Sequence, residues 1–264
     1  LQEADLRSLG SQGYYGTESE LKNRGVVMAS QKADSADVSV GDFFDRVSAE
    51  YDDSIRKAIP PYREMFEALL GYCFLDATQP LEILELGCGT GNLSVYLREL
   101  FPNARLSLID LSPDMLSQAA LKLGGQSERL ELIQGGFMDL TFPAGRFDLV
   151  VSSMALHHLR DEEKPVLYDR IFQWLKPGGI FRCADETLGV PEPVHLENLR
   201  RWEIWARQNG TTDADIAFWS EHAEQYDHYA PLKNHFQWLE TSGFKNIDCY
   251  WRQLMWTVFG GSRA

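Results

Sequence analysis

The stretch from Leu81 to Leu100 constrains the fold more than any other, because a short apolar run ends in Glu85-Leu86-Gly87-Cys88-Gly89-Thr90-Gly91 and passes into residues at helical spacing. Strand, glycine turn and helix in that order bring backbone N–H groups and a helix N-terminus up to a ligand, since glycine has no Cβ to hold it off. A second strand, Arg105 to Asp110, supports this reading, with Asp110 closing it 25 residues after Glu85. A carboxylate there accepts hydrogen bonds from both hydroxyls of a ribose, as in dinucleotide sites. The competing structural role for Asp110 is a helix cap before Ser112-Pro113.

The same alternation runs on down the chain. Leu81–Leu86, Arg105–Asp110, Leu130–Ile133, Phe147–Ser152 and Ile180–Ala184 read as strands; Gly91–Leu100, Pro113–Leu123 and Glu162–Leu175 read as helices. This pattern predicts an α/β, doubly wound, mostly parallel sheet with helices on both faces. Two further strands, Phe244–Trp251 and Gln253–Phe259, are joined by almost nothing and must pair antiparallel, because a parallel crossover needs about a dozen residues. Between Ala184 and Phe244 the aromatic residues Trp202, Trp205, Phe218, Trp219, Tyr226, Tyr229, Phe236 and Trp238 fall at helical spacing, which predicts a helical cap at about 190–240. Ahead of the sheet, Asp42–Tyr72 reads as helix, split in two by Pro60 and Pro61. Residues 1–41 are polar and Gly/Ser-rich and read as an N-terminal arm, disordered or serving as a lid through Tyr14 and Tyr15.

Charge and residue usage narrow the partners. The formal net charge of −14 disfavours binding to nucleic-acid phosphates and points to a small-molecule substrate. No apolar run approaches the roughly 20 residues of a membrane helix. The stretch Leu1–Gly25 carries Glu3, Asp5, Glu18 and Glu20 with no apolar centre, unlike a signal peptide, so the expected location is cytoplasmic with no membrane partner. Cys73, Cys88, Cys183 and Cys249 are widely separated and read as reduced structural residues. No group of His, Cys and carboxylates shows metal-ligand spacing, and no metal is expected. Exposed aromatic residues of the cap would suit a homodimer interface as well as internal packing.

Two cofactor classes compete for the glycine turn, nicotinamide dinucleotides and S-adenosylmethionine. Gly87, Gly89 and Gly91 follow a G-x-G-x-G spacing rather than the G-x-G-x-x-G of dinucleotide binders, and no second mononucleotide-binding half follows. The pieces Leu84–Gly91, Leu108-Ile109-Asp110-Leu111-Ser112, Phe147–Val151 followed by Leu156-His157-His158-Leu159, and Leu175-Lys176-Pro177-Gly178-Gly179 together resemble the class I S-adenosylmethionine-dependent methyltransferases, over residues 42–260. That resemblance implies a Rossmann-like, seven-stranded sheet with an antiparallel last strand. It also implies S-adenosylmethionine as cofactor and S-adenosylhomocysteine as product. Glu85, Gly87, Cys88, Gly89 and Gly91 would then meet the methionyl end, Asp110 the ribose, Leu111 and Met115 the adenine, with Phe137 and Ser152 completing the site.

One position departs from the family. Gly136 stands where an acidic residue usually meets the adenine amino group; Asp139 is the candidate substitute, against a role as a solvated loop carboxylate. Methyl transfer needs mainly alignment and a dry pocket, since the sulfonium is already activated. Where the acceptor needs a base, His157, just beyond the fourth strand, is the candidate, against a structural role for the His pair. A narrower resemblance, carried by Phe44-Asp45-Arg46-Val47, Ile59-Pro60-Pro61-Tyr62, Arg207-Gln208-Asn209-Gly210 and Trp238–Phe244, is to the carboxy-S-adenosylmethionine synthases. It implies substrate contacts from Tyr62 and Arg207 to an extra carboxylate, although the glycine turn is the ordinary methyltransferase version. A non-catalytic cofactor-binding protein is the third reading.

Overall fold

Successive residues of a strand point to opposite faces, and here both faces are apolar. In β1 (Glu82–Leu86), Ile83 belongs to one buried cluster while Leu84 and Leu86 belong to another. The computed structural model describes residues 40–59, 62–125 and 128–264, all within the compact unit Asp37–Ala264. The expected lid residues Tyr14 and Tyr15, and Pro60 and Pro61, lie outside the described residues. The segment expected to form two helices forms three: α1 (Val40–Val47) and α2 (Tyr51–Ala58), broken also at residues 48–50, precede α3 (Tyr62–Gly71) beyond the proline pair.

The sheet continues with α4 (Asn92–Leu100), β2 (Arg105–Asp110), α5 (Pro113–Lys122), β3 (Leu130–Gln134), β4 (Phe147–Ser153), a 3₁₀ turn at Leu156–His158, α6 (Glu163–Trp174) and β5 (Leu175–Glu186). After these come α7 (Glu192–Gln208), α8 (Asp213–Tyr226), α9 (Leu232–Ser242), β6 (Lys245–Gln253) and β7 (Trp256–Ser262). The seven strands lie in the order β3-β2-β1-β4-β5-β7-β6. Strands β1 to β5 pair parallel, and β7 runs antiparallel to both β5 and β6. Strand order reverses at β1, so the crevice at the carboxyl ends of β1 and β4 is the place where such sheets bind ligands.

Two helical layers bury the sheet. Met65, Phe66 and Leu69 of α3, Leu93 and Leu97 of α4 and Leu116 and Ala119 of α5 cover Ile83, Leu108, Leu149 and Val151. On the other face Leu167, Tyr168, Ile171 and Trp174 of α6 cover Val150, Phe181 and Phe259. The third helix of the expected cap, α9, lies on this second face, where Leu239 is fully buried and Phe236 and Trp238 pack against the same cluster. The cap proper is α7 and α8.

Strand β5 also begins earlier than the sequence suggested. Leu175 pairs with Phe147, and the next pairing, Leu149 with Ile180, leaves four residues of β5 opposite one of β4. Lys176-Pro177-Gly178-Gly179 therefore bulges out of the ladder, with Gly178 at φ +81° donating its N–H to the Arg263 carbonyl at 2.7 Å. Among the described residues, no helix is long and apolar enough to cross a membrane.

Candidate functional site

A cavity of about 210 Å3 opens at the carboxyl ends of β1 to β4, as the strand order requires. Its floor is the glycine turn. Gly87 (φ +71°) and Gly89 (φ +53°) adopt left-handed backbone, and a Cβ on Gly87 would lie 2.3 Å from the Ala155 Cβ and 3.3 Å from Phe137 Cζ. Only glycine lets the turn pass between the loops that follow β3 and β4.

The carboxylates face this floor. Asp110 accepts the Gly89 N–H at 2.8 Å on one oxygen and the Ser112 N–H at 3.0 Å on the other. A carboxylate has about four lone-pair sites, so one on each oxygen is left for the two hydroxyls of a ribose. Asp110 does not cap the following helix. Ser112 does, its Oγ accepting the Met115 N–H at 3.0 Å, a cap worth about 1 kcal/mol. Glu85 is buried beneath the turn, its carboxylate accepting a 2.6 Å bond from Ser94 Oγ. Burial, with Asp110 close by, pushes Glu85 up to about 8. Burial also raises Asp110, against the pull of its backbone donors.

The structure brings most of the expected residues to this cavity. Tyr62, Glu85, Gly87, Cys88, Gly89, Asp110, Leu111, Met115, Phe137 and Asp139 line it. Gly91 caps α4 at φ +81°, and Ser152 is buried within the sheet, donating its hydroxyl to the Leu86 carbonyl at 2.8 Å. Neither borders the cavity, whereas Ser153 and Met154 do. At Gly136 a Cβ would sit 3.0 Å from Asp139 Oδ2, so the Asp139 carboxylate occupies the space that a side chain at 136 would fill.

Two acids from the N-terminal helices, which local patterning did not single out, close the site. Asp45 accepts Ser112 Oγ at 2.5 Å and ties α1 to the start of α5, which brings Val40 and Phe44 to the cavity wall. Asp52 takes Thr90 Oγ1 at 2.5 Å, Asn92 Nδ2 at 2.8 Å and Lys122 Nζ at 2.6 Å, which holds α2 and Tyr51 over the glycine turn.

Arg207 does not reach this cavity. It lies near the end of α7, paired with Glu203 at 2.9 Å and Asp213 at 2.9 Å, with its side chain 47% exposed. His157 also sits behind the wall rather than on it. Its Nδ1 lies 2.5 Å from Asp185 Oδ1 and its Nε2 3.7 Å from Asp227 Oδ1. Burial works against a charged imidazole, but the Asp185 and Asp227 carboxylates outweigh it and hold His157 up to about 9. A ring already protonated at neutral pH is a poor base. His158 is the imidazole on the cavity wall. Burial and the neighbouring His157 lower its pKa, and its Nδ1 is 2.9 Å from Asp227 Oδ1.

Asp227 follows α8 and is delivered by the cap. Its other oxygen accepts Tyr229 O–H at 2.5 Å, and the next residue, His228, donates its N–H to the His157 carbonyl at 2.7 Å. Folding thus assembles a group the sequence did not foretell: His157, His158 and Asp227 bring one ligand atom each within 4.8 Å of one another. Spacing along the chain does not show this group, because residues 157 and 227 are remote in sequence.

Residues 83–179 match the family model of a methyltransferase domain, covering the strand, turn and helix repeats that build the cavity. The fold has a class I S-adenosylmethionine-dependent methyltransferase architecture. Within it the chain is homologous to carboxy-S-adenosyl-L-methionine synthases; that of Wolinella succinogenes is 26% identical over 223 residues, covering 83% of this chain and 91% of the relative. Among solved structures, Haemonchus contortus phosphoethanolamine N-methyltransferase 2 with S-adenosylhomocysteine shares the methyltransferase fold at a TM-score of 0.60 and 20% identity, over 80% of this chain and 46% of that one. Human N-acetylserotonin methyltransferase with S-adenosylmethionine superposes at a TM-score of 0.52 and 16% identity, over 84% of this chain and 55% of that one.

Proposed function

We propose that the chain is an S-adenosylmethionine-dependent methyltransferase acting on a small molecule, with the cofactor held in the cavity over the glycine turn. The observation that carries this reading is the sign of the wall. Glu85, Asp110 and Asp139 line the cavity together with the rings of Phe44, Tyr51, Tyr62, Phe66 and Phe137, and no Lys or Arg lines it among the described residues. Carboxylates and ring faces suit a sulfonium and an ammonium. Glu85 and the turn would take the methionyl end, Asp110 the ribose, and Leu111 and Met115 the adenine. The aromatic wall would exclude water and align acceptor oxygen, nitrogen or carbon with the activated methyl group.

The relatives favour a second reading, carboxy-S-adenosylmethionine synthesis. That reaction places an extra carboxylate on the cofactor, which needs a cation to meet it. Arg207, the residue expected to do so, is engaged by Glu203 and Asp213 at the surface. Tyr62 alone borders the cavity, half of the expected pair. Mass spectrometry of the nucleoside that copurifies with the protein tests the choice. Unmodified S-adenosylmethionine or S-adenosylhomocysteine, with methyl transfer to a member of a metabolite panel, is the expected result; a carboxylated cofactor would overturn it. Cofactor binding with no transfer to any member would instead favour a binding protein.

Asp139 provides a separate check on how the cofactor is seated. With its carboxylate in the space above Gly136, Asp139→Ala is expected to weaken S-adenosylmethionine binding about tenfold by calorimetry, the worth of one hydrogen bond to a charged group. An unchanged affinity would remove Asp139 from the adenine site.

A further inference from the structure

The polar cluster behind the cavity is more elaborate than a structural hydrogen-bond network needs. We propose that His157 Nε2, His158 Nδ1 and Asp227 Oδ1 form a buried binding site for one divalent transition-metal ion of the zinc class, behind the wall where His158 borders the cavity. The distances from Asp227 Oδ1, 2.9 Å to His158 Nδ1 and 3.7 Å to His157 Nε2, span the separation of about 3.3 Å between ligands that a four-coordinate ion with bonds near 2.0 Å requires. Two imidazoles and one carboxylate are a zinc-type donor set. Magnesium and calcium prefer all-oxygen sites and are disfavoured here.

The surroundings match what a metal site needs as well as the ligands do. The ring nitrogen of His157 that faces away from the site is held by Asp185 at 2.5 Å, the carboxylate–histidine arrangement that fixes a ligating imidazole and raises its basicity. Tyr229 holds the second oxygen of Asp227, and the His228 N–H holds the His157 carbonyl, so two loops are locked in the geometry that presents the three atoms. His222 of α8 adds a third imidazole, its Nε2 3.7 Å from the same Asp227 oxygen. Asp185 and Asp227 are 1% and 8% exposed.

His158 borders the cavity, so an ion bound to its buried Nδ1 would fix the orientation of the ring that faces the cofactor's space. Metal binding by these three atoms does not depend on the methyltransferase reading.

The test uses the full chain, stripped with a chelator and titrated with Zn2+ by calorimetry and with Co2+ by visible absorption. The expected result is one equivalent of tight binding, ligand-field bands of a four- or five-coordinate nitrogen and oxygen site, and a raised melting temperature with Zn2+. His158→Gln and Asp227→Asn, chosen to keep shape and checked by circular dichroism, should lose at least about 100-fold in affinity. Asp185→Asn, a positioning residue, should lose about 10- to 100-fold. Arg200→Ala, a surface ion-pair residue, should bind as the parent does. Absence of stoichiometric binding, equal binding by the His158 and Asp227 variants, or thiolate-to-cobalt charge-transfer bands from one of the four free cysteines would each overturn the proposal.

Discussion

Replacing Glu85 with glutamine is expected to stabilise the ligand-free protein and weaken cofactor binding in the same step. The carboxyl is 1% exposed, and burial lifts it to about 8 from the 4.5 of an unfolded chain. Between those values the folded state binds a proton that the unfolded state has released, so stability falls as pH rises through the window. By pH 8 the cost is a few kcal/mol, and Glu85→Gln removes it. The variant should therefore melt higher than the parent at pH 8, with the difference vanishing near pH 4.5. Cofactor affinity should move the other way. On the proposed assignment Glu85 meets the charged methionyl end, and a charge-assisted bond worth about 1.5–3 kcal/mol corresponds to a loss of about 10- to 150-fold by calorimetry. Parallel melting curves across the pH range would refute the first half, and an unchanged dissociation constant the second.

The second large effect concerns the backbone under the cofactor. Gly87→Ala should lower stability by about 3 kcal/mol, roughly 1–2 from forcing a residue with a Cβ into left-handed backbone and the rest from overpacking against Ala155. For a chain of this size that is a drop in melting temperature of about 6–12 °C. The two causes separate in a double variant. Ala155→Gly removes the carbon that the new Cβ meets at 2.3 Å, so it should recover the packing part of the loss in the Gly87→Ala background and leave the backbone part. A Gly87→Ala protein with parental stability, or a loss untouched by Ala155→Gly, would show that the turn is not pinned between the β3 and β4 loops.

Much of the fold was legible because it is written in local periods. Apolar runs on both faces gave the parallel strands, and the near absence of a linker between the last two strands required the antiparallel pair at β6 and β7. Where the reading slipped, the signal was ambiguous by nature. Aromatic residues at helical spacing say that a helix is buried on one side but not against what, so Phe236 and Trp238 looked like cap residues until α9 was seen on the sheet. The Lys176-Pro177-Gly178-Gly179 segment falls between the expected helix and strand, and it bulges outward within a longer strand.

At the functional site the division falls between neighbours in sequence and neighbours in space. The spacing of Gly87, Gly89 and Gly91, with Asp110 at the end of the next strand, determined a glycine-floored cavity with a carboxylate poised beside it, because strand and turn geometry carry those residues there in any parallel sheet. Only the tertiary structure decided which histidine faces the cavity, that Asp52 and Asp45 hold the N-terminal helices over the turn, that Arg207 is taken up at the surface, and that Asp227 returns from the cap to meet His157 and His158. The reason is physical: such meetings depend on how each helix is rotated and where each loop returns, and those are set by packing across the whole core rather than by any period along the chain.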